Sequence, residues 1–111
     1  VPLERTLDAE VRRALAILPG VSVMPNEAGV FRTLDGTRTV RAGLGVGSSD
    51  LVGIIAPHGR WFCIELKTKR GRVRKEQALW LAHMERMGAA VGVARTVGEA
   101  VAIVESGRAG Q

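Results

Sequence analysis

Apolar side chains in the first stretch of the chain recur at helical intervals: Leu3, Leu7, Val11, Ala14 and Leu18, with Arg5, Arg12 and Arg13 on the outer side. This spacing predicts an amphipathic helix over Leu3–Leu18, stopped by Pro19-Gly20. The period then shortens. Val21–Met24 reads as a strand and Pro25–Gly29 as a turn. Val30–Thr33 and Thr37–Arg41 flank Leu34-Asp35-Gly36, a hairpin whose turn signal is Asp-Gly. Two apolar runs, Leu51–Ala56 and Trp61–Leu66, joined by Pro57-His58-Gly59, read as a second hairpin. Helical spacing returns with Val73, Trp80, Leu81, Met84 and Met87, which places Trp80 and the methionines in the core. Gly88 closes that helix, and Ala89–Arg95 follows as a buried strand. Thr96-Val97-Gly98-Glu99 has the pattern of a capping box opening a last helix to about Glu105, with residues 106–111 as a frayed tail. The order α-β-β-β-β-β-α-β-α predicts one α/β domain over residues 1–105, a central mixed sheet flanked by helices.

Chemistry concentrates in the second hairpin. Strand alternation sets Trp61, Cys63, Glu65 and Lys67 on one face and Phe62, Ile64 and Leu66 on the other. One face is fully apolar; the other ends in a carboxylate and an ammonium. With the turn centred on Pro57-His58, Ile55 pairs with Arg60 and Asp50 falls opposite Glu65. Cross-strand partners sit roughly 4.5–5.5 Å apart, where like charges repel. A positive group is expected between them, and a hard divalent cation with oxygen ligands is the natural candidate. The pairing depends on this register, since a slip of one residue undoes it.

The order Asp50…Glu65-x-Lys67 resembles the PD-(D/E)XK nuclease superfamily, and its surroundings narrow the resemblance to the VRR-NUC branch, in its minimal stand-alone phage and bacterial type. Gly47-Ser48-Ser49-Asp50-Leu51 stands where that family has a small-residue loop leading to Asp. Phe62-Cys63-Ile64-Glu65-Leu66-Lys67 matches its strand, Gln77 matches a Gln of the following helix, and the likeness continues through Gly88–Arg95. One departure is Ser49, where the superfamily name has Pro. The resemblance implies a restriction-endonuclease-like fold and metal-dependent hydrolysis of DNA phosphodiesters. Asp50, Glu65 and the Ile64 backbone carbonyl would hold Mg²⁺ or Mn²⁺. Family members commonly carry a Glu in the first helix, which Glu4 fits by its spacing to Leu7, Val11 and Leu15, with Glu10 as the fallback; it would complete the site directly or through water. Lys67 would position water or stabilise the developing anion, and Gln77 would orient the water or Lys67. A homodimer is implied as well, and the DNA is branched, flapped, single-stranded or plain duplex.

The residues carry plainer readings beside these. A Glu in a first helical turn often only complements the helix dipole. Gln77, in the middle of an apolar stripe, either satisfies nearby backbone or reaches into the site. The run Thr68–Lys75 contains Lys69, Arg70, Arg72, Arg74 and Lys75 and is either a solvated loop or a guide for phosphates. Arg32, Arg38 and Arg41 on the first hairpin are likewise a phosphate grip or a solvated edge. In Ala42–Ser49 the series Gly43-x-Gly45-x-Gly47 invites a nucleotide-binding reading, but such a loop opens a helix, whereas a strand follows here. The glycines are better explained by close backbone approach to the metal site or to DNA.

Composition restricts the function classes. The formal net charge of +5, carried mainly by Arg, suits a polyanionic partner, nucleic acid before membrane. No apolar run reaches the roughly 18 residues needed to span a bilayer, and the early alternation of charged and apolar residues gives no signal peptide to read. Cys63 is the sole cysteine, which excludes an internal disulfide and favours a reducing, cytoplasmic setting. With one cysteine and two separated histidines, His58 and His83, Cys/His metal sites are excluded by supply. Two rival classes remain open: a non-catalytic basic DNA-binding module in which Asp50, Glu65 and Lys67 form a salt-bridge cluster, and a small RNA- or ribosome-associated domain.

Overall fold

The structure is a computed structural model that describes the backbone of residues 3–109 and the side chains of residues 6–109. Nine elements follow in the expected order: α1 (Leu3–Ala16), β1 (Val21–Pro25), β2 (Gly29–Arg32), β3 (Thr39–Ala42), β4 (Leu51–Ile55), β5 (Arg60–Leu66), α2 (Lys75–Arg86), β6 (Ala90–Ala94) and α3 (Val97–Ala109). Four strands form one mixed sheet in the order β1-β4-β5-β6. The pairs β1–β4 and β4–β5 are antiparallel; β6 lies parallel to β5 after the α2 crossover.

The alternation along β5 explains the layers. Phe62, Ile64 and Leu66 face a core built with Val11 and Leu15 of α1 and Ala100 and Val104 of α3. Cys63, pointing the other way, packs with Val52, Leu81 and Ala89 beneath α2, with Trp80 and Met84 at the margin. The sheet is thus covered by α1 and α3 on one face and by α2 on the other. Such two-sided cover is what a sheet with a parallel crossover requires.

Four details differ from the sequence expectation. α1 stops at Ala16 instead of Leu18, because the chain tightens into a turn in which the Leu18 amide donates to the Leu15 carbonyl, 3.1 Å, ahead of Gly20. α2 begins at Lys75, so Val73 precedes the helix instead of starting its stripe, and Met87, at the helix end, is 71% exposed and not a core residue. α3 runs past Glu105 to Ala109 instead of fraying from Ser106. Its extension is anchored where Gly107 passes so close to the sheet that a Cβ there would stand 2.8 Å from Ala90 Cβ and 2.9 Å from Ile55 Cδ1. Arg60 Nη1 donates to the Gly107 carbonyl, 3.0 Å, and Arg108 Nη1 to the Pro19 carbonyl, 2.8 Å.

The first hairpin forms, but as a separate two-stranded sheet, β2–β3. Its turn spans residues 33–38, closed by the Thr33 amide on the Arg38 carbonyl, 2.9 Å. Asp35 knots the turn: its carboxylate accepts from the Thr33 and Thr37 hydroxyls and the Thr37 amide, bonds that hold its pKa at about 2. The radius of gyration, 14.4 Å, exceeds the roughly 13 Å usual for this length, as a ribbon standing off the body requires. Among the described residues no helix is long and apolar enough to cross a membrane.

Candidate active site

The β4–β5 register is the one the turn dictates: Ile55 pairs with Arg60 and Leu51 with Ile64. One step further along the ladder, Asp50 stands across from Glu65. The Leu66 amide donates to Asp50 Oδ2, 2.8 Å, and ties this carboxylate to the end of β5. Glu65 itself is nearly sealed, 2% exposed, under the first turn of α2. Burial pushes its pKa up from 4.5 to about 7, and the charge of Asp50 pushes the same way, while Lys67 offsets part of the rise.

Two side chains hold one Glu65 oxygen. Gln77 Nε2 donates to Oε2 at 2.8 Å, and the Lys67 ammonium lies 3.4 Å from the same atom. Gln77 is itself fixed from behind, since its Oε1 accepts the Arg74 amide at 2.9 Å. A backbone amide can only donate and a carboxylate can only accept, so this pair of partners dictates which way the Gln77 amide faces. The residue therefore closes the N-terminal cap of α2 and clamps Glu65. Its amide thus meets both a backbone group and one of the paired carboxylates, the two kinds of contact that the sequence leaves as alternatives. Its contact is with the carboxylate, not with Lys67.

The other Glu65 oxygen, Oε1, is buried with no hydrogen-bond partner. Leaving such an acceptor unmet costs about 1–3 kcal/mol, more when it is charged. An unpartnered carboxylate oxygen beside a second carboxylate suits a divalent cation. Among the described residues no three His, Cys, Asp or Glu side chains converge on one point, so a cation here would have the Asp50–Glu65 pair as its carboxylate donors. Mg²⁺ is commonly held in this way, by one or two carboxylates, with water and substrate phosphate completing the shell. Ile64, whose carbonyl precedes Glu65, sits opposite Leu51, with its side chain turned into the other core layer.

The β1–β2 loop sets the position of Asp50. The Asn26 amide donates to the Asp50 carbonyl, 2.8 Å. Asn26 Nδ2 donates to Ser48 Oγ, 2.8 Å, and to the Ser49 carbonyl, 2.7 Å, and its Oδ1 accepts the Leu44 amide at 3.0 Å. Ser49, in the place of the superfamily's Pro, is fully buried, and its hydroxyl bonds to the Leu51 carbonyl at 2.9 Å. The glycine loop does make close backbone approaches, but to protein: a Cβ at Gly47 would stand 2.7 Å from the Glu76 carbonyl oxygen, and one at Gly43 2.6 Å from Ala28 Cα.

Asp50 opens onto two clefts. One, about 390 Å³, is lined by Asp8, Arg12, Asn26, Glu27 and Phe31. The other, about 200 Å³, is lined by Asn26, Val46, Gly47, Ser48, Arg74 and Gln77. A larger cavity of about 510 Å³ lies between Trp61 and Trp80 and contains none of these groups. Of the expected basic residues, Arg74 reaches a cleft wall, where it also pairs with Glu76 at 3.4 Å. Lys69, Arg70 and Arg72 are exposed on the loop before α2, Lys75 is exposed at the first position of that helix, and Arg41 is exposed on the ribbon. Glu4 falls in the first turn of α1, and its side chain lies outside the described residues. Glu10 is exposed, two residues past Asp8 and so on a different side of the helix.

Four contributors escape a reading of the sequence. Asp8 and Arg12, an ion pair, bring α1 to the Asp50 cleft; their four-residue spacing is the available signal. Asn26 carries none beyond its place in a turn. Arg95 Nη1 donates to the Thr68 and Gly71 carbonyls at 2.6 and 2.7 Å and staples the basic loop, a role nothing local announces.

No curated protein and no solved structure matches the chain significantly. The model of the VRR-NUC domain matches residues 22–98, a span that takes in Asp50, Glu65, Lys67 and Gln77 and leaves α1 outside. On this match, which covers well over half of the chain, the protein belongs to the VRR-NUC family of nuclease domains.

Proposed function

We propose that the chain is a divalent-metal-dependent deoxyribonuclease acting as a structure-specific endonuclease at Asp50 and Glu65. What carries this reading is the buried, unpartnered Glu65 Oε1 beside Asp50. These carboxylates and the Ile64 carbonyl would hold Mg²⁺ or Mn²⁺, with Glu4 adding a ligand directly or through water, and the ion would supply the Lewis acidity that lowers the pKa of water and offsets phosphate charge.

The chain's own residues do the rest. Asp50 is anchored by the Leu66 amide and Glu65 is clamped by Gln77, which fixes the orientation of both carboxylates. Lys67, on the same strand face as Glu65, places a cation where negative charge develops on the phosphate during attack. The exposed cations Lys69, Arg70, Arg72, Arg74 and Lys75, stapled by Arg95, together with Arg41, take the DNA backbone. Branched or flapped DNA, a homodimer that offers two sites to two strands, and a cytoplasmic setting for the single buried Cys63 complete the proposal.

A panel of labelled linear, flapped and branched DNAs, incubated with Mg²⁺, Mn²⁺ or EDTA, tests it. Cleavage that needs the metal and is lost in folded Asp50→Asn is expected. Metal-independent cleavage, or an Asp50→Asn variant with full activity, contradicts it. If DNA is bound but never cut and divalent ions leave the melting temperature unchanged, the non-catalytic binding module is the better description.

A further inference from the structure

The cleft beside Asp50 contains an aromatic ring that neither the core nor the carboxylate pair uses. Phe31 lines it with Asp8, Arg12 and Asp50, is 48% exposed, and packs in neither core layer. A ring left this open among polar groups contributes little to folding. Its placement is nonetheless built. A Cβ at position 29 would lie 3.3 Å from Phe31 Cζ, so Gly29 leaves the ring room to lie back along β2, toward the foot of the ribbon. Val40, its cross-strand partner, shares that face and is also half exposed, extending the apolar surface.

The opposite face of the ribbon is basic. Arg32 pairs across to Thr39 and Arg41 to Val30, so the two guanidinium side chains leave on the side away from Phe31. Arg38 follows at the turn. Among the described residues, none of the three guanidinium groups forms an ion pair. The ribbon's one carboxylate, Asp35, is consumed by its own turn. An isolated two-stranded sheet is marginal in water, yet this one exposes Val30, Phe31, Leu34 and Val40 beside unpaired cations.

We propose that Phe31 is a base-stacking residue: its ring receives the face of an unpaired nucleobase in the cleft beside Asp50, next to the scissile phosphate, while Arg32 and Arg41, on the ribbon's other face, add positive charge that draws the polyanion to the ribbon. The proposal rests on the nuclease reading of the site and names its substrate class, DNA with an unpaired nucleotide adjacent to the scissile bond. Bases within a duplex present only their edges, because their faces are covered by neighbours. A ring can stack only on a base in a single strand, a flap or a frayed end. Such stacking is worth roughly 5- to 150-fold in affinity per base.

Binding of the whole chain, measured in EDTA so that no cleavage intervenes, tests this with three labelled DNAs of one sequence: a single strand, the same strand as a flap, and a blunt duplex. Phe31→Ala should weaken the first two by roughly 5- to 150-fold and leave the duplex nearly unchanged, while Phe31→Trp keeps wild-type affinity. An abasic site moved along the single strand should find one position that costs the wild type a similar factor and costs Phe31→Ala nothing more, the signature of a direct pair. Equal losses on all three DNAs, or abasic losses that add to Phe31→Ala at every position, overturn the proposal. Wild-type abasic scanning needs no variant, so a poorly folding Phe31→Ala does not remove the test. Coupling without any cleavage contradicts the nuclease reading alone; cleavage without coupling contradicts the stacking alone.

Discussion

Replacing Glu65 by Gln should stabilise the metal-free protein while abolishing its response to metal. The wild-type carboxyl is raised from 4.5 to about 7, by burial first and then by Asp50, and that value is what remains after Lys67 has offset part of the rise. A folded pKa above the unfolded one means that the proton is held more tightly in the native state. The associated stability is fully present below pH 4.5 and fades as pH rises to about 7. At pH 8 the native protein must carry a buried charge that its unfolded chain carries in water, a difference on the order of 1–3 kcal/mol. Glu65→Gln removes that charge at constant shape, and its side-chain oxygen still accepts from Gln77 Nε2. In EDTA at pH 8 the variant should melt higher, by roughly 4 °C or more, and the gap should close toward pH 4.5. With saturating Mn²⁺ the order reverses, because only the wild type gains from the ligand; that gain shrinks toward pH 5, where metal competes with the proton. Melting curves across this range, with and without EDTA, are the assay. A Glu65→Gln variant that melts lower than wild type in EDTA at pH 8, or by a margin independent of pH, refutes the reasoning.

Further expectations follow from the neighbours. Lys67→Ala should leave DNA binding nearly intact and slow single-turnover cleavage by roughly 10²–10³, the usual cost of removing one donor to developing charge; unchanged cleavage by the folded variant ends that assignment. Gln77→Ala removes a helix cap worth about 0.5–2 kcal/mol and the clamp on Glu65 together, so melting temperature and cleavage rate should both fall; a fall in the first alone reduces Gln77 to a cap. Changing Arg70, Arg72 and Arg74 together to Ala should flatten the dependence of log K on log salt by about 0.9 for each duplex phosphate that is no longer neutralised, and an unaltered slope makes the run a solvated loop.

Most of this site is legible in the sequence because it sits where local rules are strict. A tight turn at Pro57-His58-Gly59 sets the β4–β5 register, and period-two alternation then sends Glu65 and Lys67 to the face opposite Phe62 and Ile64. The family resemblance adds Gln77, which periodicity alone leaves between two roles. What escapes comes from long-range contacts. Asp8 reaches the Asp50 cleft only because Val11 and Leu15 dock α1 on the far layer. Asn26 gains its role from partners more than 20 residues away in sequence, at Ser48 and Ser49. The helix α3 outruns its sequence signal because Gly107, a weak helix former by propensity, is retained by its close fit against Ala90 and Ile55. Met87 matches the helical stripe, but it falls at the end of α2, where the layer beneath has run out.

The most direct measurement of the central claim is an anomalous-scattering map from a crystal of this chain equilibrated with Mn²⁺. A peak within bonding distance of Glu65 Oε1 and the Asp50 carboxylate, absent from crystals of Asp50→Asn, is expected. A map with no peak between those residues, from protein that cleaves DNA in the same Mn²⁺ solution, contradicts it.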